Sequence, residues 1–95
     1  MKEEEMIFQW IERMICKYPW ISFMYEYSKR YDAYCVAVFP KSIVYCHEEY
    51  CDDENIFYNI FRKQYPNVDL IFFDELDPFF FTEKTITFDQ VKALV

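Results

Sequence analysis

The chain has no glycine among its 95 residues. Phosphate-cradling loops of the P-loop and dinucleotide types need backbone that approaches a phosphate with no side chain in the way, so both nucleotide-binding classes are set aside. Histidine is almost missing as well, His47 being the only one. Positive charge is sparse: 10 Lys and Arg stand against 17 Asp and Glu, a formal net charge of −7. The cations Lys2, Arg13, Lys17, Lys29, Arg30, Lys41, Arg62, Lys63, Lys84 and Lys92 form no stripe along the sequence. A surface of that sign repels a phosphate backbone, and nucleic-acid binding through direct phosphate contacts is not expected. No apolar run reaches the roughly 18 residues of a membrane span. The opening "MKEEEMIFQW" carries three glutamates where an export signal carries positive charge. These features predict a cytoplasmic protein with no membrane partner, whose four cysteines stay reduced rather than forming a disulfide framework.

Aromatic residues are what the chain has in excess: 11 Phe, 9 Tyr and 2 Trp, or 23%. Its length predicts one domain over residues 1–95, burying roughly 60–65% of the surface its unfolded chain exposes. A core of that size has room for about a dozen large aromatics. The remainder are expected at or near the surface, where Tyr, Phe and Trp are enriched in interface centres. Tyr31, Tyr45, Tyr50, Tyr58 and the trio Phe79, Phe80 and Phe81 fit the core periodicities least. A genome rich in A and T would also inflate Phe and Tyr and drain Gly, but that explains composition better than clustering.

From Glu3 to Tyr18, the spacing of Ile7, Ile11, Met14, Ile15 and Tyr18 predicts a helix, with Glu3 to Glu5 in the turn where the helix dipole favours acids. Met6, Phe8 and Trp10 overfill it, so it needs two surfaces to bury against, or a partner. "WISFMYEYSKRYDAYCVAVF" predicts a hairpin that turns at "SKRYD" and ends at Pro40, and "KSIVY" is either a short strand or an irregular connection. A second helix is predicted from about Glu48 to Tyr65 on the spacing of Tyr50, Phe57, Ile60, Phe61 and Tyr65, acidic at its start and basic at its end. "VDLIFFDEL" is a strand apolar enough to be buried on both faces and is expected at the sheet centre. "DPFFFTEK" reads as a loop and "TITF" as a last strand, while Thr87 and Gln90 make a capping-box pattern for a possible short C-terminal helix. The order α-β-β-α-β-β predicts an α+β fold: a small antiparallel or mixed sheet of about four strands with helices packed on one face.

The stretch "YCHEEYCDDE" holds the only histidine between two cysteines. His47 and Cys51, four apart on one helical face, could reach a zinc ion with Cys46 or Asp52 beside them, although the paired short cysteine spacings of structural zinc sites are missing. A Cys–His nucleophilic dyad is opposed by the surrounding acids, which push a thiol pKa up. The start of a helix accounts for the stretch most simply. Asp74, Glu75 and Asp77 in "FFDELDPFF" could pair for acid and base work, but acids before Pro78 are also what a turn looks like. The acidic clusters at Glu3 to Glu5, Glu48 to Glu54 and Asp74 to Asp77 raise nucleic-acid mimicry as another reading. The expectation that follows is a non-enzymatic interaction domain with no cofactor. Its partner would be itself, as a homodimer meeting through Trp10, Phe79, Phe80 and Phe81. The alternative is a metal-binding protein or small enzyme using Cys46, His47 and Cys51.

Overall fold

The computed structural model describes residues 2–40, 44, 46–73 and 85–89. Helix α1 spans Lys2–Lys17, with Glu3, Glu4 and Glu5 in its first turn and Lys17 in its last, the charge order the helix dipole favours. Its end is closed by the Tyr18 N–H on the Met14 carbonyl (2.8 Å), and Pro19 follows. Strands β1 (Ser22–Ser28) and β2 (Ala33–Phe39) pair antiparallel, from Ser22 opposite Phe39 to Ser28 opposite Ala33. The turn between them needs one residue with φ near +50°, and a chain without glycine places Asp32 there. Aspartate tolerates the left-handed region better than most residues, and its carboxylate accepts from the Tyr27 hydroxyl.

Helix α2 spans Glu48–Gln64, strand β3 Asp69–Phe73 and strand β4 Ile86–Asp89. The sheet order is β3-β2-β1-β4, with β3 parallel to β2 and β4 antiparallel to β1. A parallel neighbour requires a crossover, and α2 supplies it. The fold is therefore α+β with a four-stranded mixed sheet and the element order α-β-β-α-β-β.

Two expectations need correction. Strand β3 is an outer strand of the described sheet, and β1 and β2 are central. Its continuous apolarity reports covered faces rather than strand neighbours: Leu70 and Phe72 join the helix-side core, while Ile71 and Phe73 pack with Cys35 and Ala37 behind the sheet. Thr87 does not open a helix. It lies in β4 opposite Met24, where the alternation of Ile86, Thr87 and Phe88 suits an extended chain on the flank of β1. Residues 90–95 lie outside the described residues, as do all of "KSIVY" except the buried Val44, and all of "DPFFFTEK".

Both helices pack on the sheet face that carries Phe23, Tyr25, Tyr34, Val36 and Val38. The overfilled α1 finds its second surface within the chain. Ile7, Ile11 and Ile15 are buried in the core that α1 shares with the sheet, and Trp10 stacks on Phe57 of α2 at 4.5 Å between ring centroids and 9° between planes. Trp10 also meets Phe23 and Phe72 edge-on at 5.5 and 5.7 Å. Phe8, two residues before Trp10, packs against Tyr25 and Phe88. A second apolar cluster of Cys35, Ala37 and Phe73, with Met24, Phe39 and Ile71, lies on the opposite face.

Candidate functional site

His47 stands immediately before α2 with extended backbone, φ −100° and ψ 101°. Its Nδ1 accepts from the Tyr50 N–H at 3.2 Å, so the imidazole caps the helix and satisfies one of its orphan donors. The ring is held against Tyr18 and Trp20, at 5.3 and 5.6 Å between centroids. The Cys51 thiol donates to the Val44 carbonyl at 3.7 Å. Burial first, then the charges of Glu54 and Asp52, push its pKa up, away from a thiolate nucleophile. Cys46 is exposed, and Cys35, raised to about 11 by burial and Glu26, is sealed in the sheet. Among the described residues no three His, Cys, Asp or Glu side chains stand where they could share a metal ion. His47→Ala is expected to lower the unfolding free energy by about 1 kcal/mol, with His47→Ser recovering most of it, as measured by urea denaturation.

Four of the nine tyrosines, Tyr27 on Asp32 among them, donate to carboxylates. Tyr18 donates to Asp53 (2.7 Å), Tyr25 to Glu4 (2.7 Å) and Tyr50 to Glu54 (2.6 Å). Burial, then the Asp53 hydrogen bond, pushes the Tyr18 phenol up to about 12. Burial, then Glu4, raises Tyr25 further. The Lys17 ammonium, 2.9 Å from Asp53, holds that carboxyl below the usual range against the effect of burial. Glu54 moves the other way, raised by burial despite the Tyr50 hydroxyl. Members of two acidic clusters are thus engaged inside the fold.

Tyr50 is a correction, because it is fully buried rather than a surface aromatic. Its ring packs edge-on against Tyr18 at the seam between the helices, and its hydroxyl finds Glu54 one turn on. Trp10, expected at an interface, is 4% exposed and belongs to the core. Tyr58 is half-buried against Phe72, and Tyr31 is exposed with the Arg30 guanidinium over its ring. Tyr45, Asp74, Glu75, Asp77, Phe79, Phe80 and Phe81 lie outside the described residues.

The surface of α2 differs from what apolar spacing alone predicts. Ile60, expected with the core set, is 50% exposed, and Ile56, one turn earlier, is 57% exposed. At about 100° per residue, Phe57 and Phe61 take the inward direction and Ile60 falls roughly a quarter-turn away from them. The two isoleucines wall a groove of about 370 Å³ between α1 and α2, floored by Trp10, Met14 and Phe57 and bordered by Arg13 and Lys17. On the other side of Ile60 a depression of about 520 Å³ is lined by Asn59, Arg62, Lys63 and Pro66. Arg13, Lys17, Arg62 and Lys63, scattered in sequence, therefore border one apolar ridge. The folded chain matches no family model, no curated protein and no solved structure.

Proposed function

We propose that the chain is a non-enzymatic protein–protein interaction domain that associates with itself. The observation that carries this reading is the Ile56 and Ile60 pair, two large apolar side chains a turn apart and at least half in water. Single exposed apolar residues are ordinary, but an adjacent pair opening onto a groove is what an interface uses. Covering the half of each isoleucine still in water yields up to about 0.8–1.7 kcal/mol, and a symmetric pair of copies covers both residues on both copies. The metal or enzyme reading based on Cys46, His47 and Cys51 is supported less well. The Nδ1 lone pair of His47 is engaged by the helix, and the Cys51 thiol is shifted away from ionisation.

Native mass spectrometry of protein purified without chelator tests this proposal, because subunit count and bound metal are read together. A metal-free dimer or higher oligomer is the expected result. A monomer carrying one stoichiometric metal, lost in His47→Ala, would overturn it.

A further inference from the structure

We propose that α2 is the contact helix and that it packs antiparallel against α2 of a second copy, about a two-fold axis between Ile56 and Ile60. This rests on the self-association reading and specifies its surface. Glu49, Ile56 and Lys63 are seven residues apart, so at 3.6 residues per turn they share one line along the helix. Asp52 and Ile60 flank that line, and all five side chains are exposed. Opposite charge lies at opposite ends of the strip, acids before the isoleucines and Lys63 after them.

That charge order selects the orientation. Lys63 lies five residues past the midpoint of Ile56 and Ile60 and Asp52 six before it, about 7.5 and 9 Å along the axis. A two-fold axis at the midpoint brings Lys63 of each copy level with Asp52 of the other, and Ile56 level with Ile60. Parallel pairing would set acid against acid. Lys63 has no ion-pair partner among the described residues, whereas Arg62 is paired with Asp69 at 3.3 Å. Glu49, already 3.1 Å from Lys17, keeps 63% of its side chain exposed and can accept a second cation. Exposed ion pairs contribute little to affinity, so the isoleucines drive association and the charges set direction.

Sedimentation velocity on the full chain tests the proposal, with circular dichroism confirming that each variant is folded. Wild type is expected to be a dimer, and Ile60→Glu and Lys63→Glu are each expected to weaken it by about tenfold or more. The Lys63→Glu chain has an all-acidic strip, and a Glu49→Lys/Asp52→Lys chain has an all-basic one. Each is expected to sediment as a monomer alone and the equimolar mixture as a dimer. A wild-type dimer that survives both Ile60→Glu and Lys63→Glu overturns the α2 contact and leaves self-association standing. A mixture that stays monomeric overturns the antiparallel pairing. A wild-type monomer at the highest concentration reached overturns the self-association reading together with this contact.

Discussion

Trp10→Ala is expected to cost about 3–5 kcal/mol of unfolding free energy, the range for truncating a large buried aromatic. A domain of 95 residues has on the order of 5–14 kcal/mol in total, so this change brings the chain close to unfolding. The magnitude follows from where the indole sits. It stacks on Phe57 and is flanked edge-on by Phe23 and Phe72, so one side chain joins both helices to two strands. Removing it leaves a void that three separate elements would have to collapse into, and packed interiors relax only in part. Urea denaturation followed by circular dichroism measures the loss. A cost below about 1 kcal/mol would contradict the core position, since that is the ordinary effect of a surface substitution. Ile56→Ala is the matched control: its side chain is mostly in water, and the stability of a separated protomer is expected to change by no more than about 0.5 kcal/mol.

The same residue shows what a one-dimensional pattern can convey. Element order was legible because it depends on local features: acids at the starts of α1 and α2, prolines at 19, 40 and 66 near element ends, and alternation from Ile21 to Tyr25. The overfilled face of α1 was legible as a demand for a second surface. Whether α2 or another molecule met that demand depended on a contact between residues 10 and 57, which no periodicity encodes. Strand neighbours were hidden for the same reason, since the outer place of β3 is decided by where the α2 crossover delivers the chain. Ile60 was misplaced because it is adjacent to Phe61 and spacing counts alone accept either. A stricter helical projection, with Tyr50, Phe57 and Phe61 fixing the inward direction, separates Ile56 and Ile60 from them, so that signal was present.

Weighing aromatics apart from acids hides one use of three tyrosines, which pair with carboxylates inside the fold. A buried phenol needs an acceptor, and Asp53, Glu4 and Glu54 provide one to Tyr18, Tyr25 and Tyr50. Tyrosines can therefore enter the core, and carboxylates that would otherwise only repel each other gain a donor. For Tyr50 and Glu54 the spacing of one helical turn made the pair visible in the sequence. The others span 21 and 35 residues.

Tyr50→Phe is expected to lower stability by about 1.5–3 kcal/mol at neutral pH, the usual contribution of a hydrogen bond to a charged group. The ring and its packing are kept, while Glu54 loses the hydroxyl that stabilises its ionised form. The pH dependence identifies the cause. Burial raises the Glu54 pKa in the fold above its unfolded value, so the ionised carboxylate opposes folding and its protonation favours it. As pH falls through the folded pKa of Glu54, the contribution of this group improves, and the deficit of Tyr50→Phe is expected to shrink because a protonated carboxyl no longer needs that donor. Asp53 works in the opposite direction: held low by Lys17, it contributes stability above the unfolded carboxylate range that is lost as pH falls through its folded pKa. The comparison must therefore be the difference between Tyr50→Phe and wild type at each pH, in which the Asp53 contribution cancels. Placing both chains in a Glu54→Gln background removes the titrating group, and the remaining difference is expected to be pH-independent and no more than about 0.5–1.5 kcal/mol, as for a neutral hydrogen bond. A deficit that stays constant from neutral to acid pH in the Glu54 background would show that the hydroxyl does not act through the ionised Glu54 carboxylate, and the charge-assisted Tyr50–Glu54 bond would then contribute nothing to the fold.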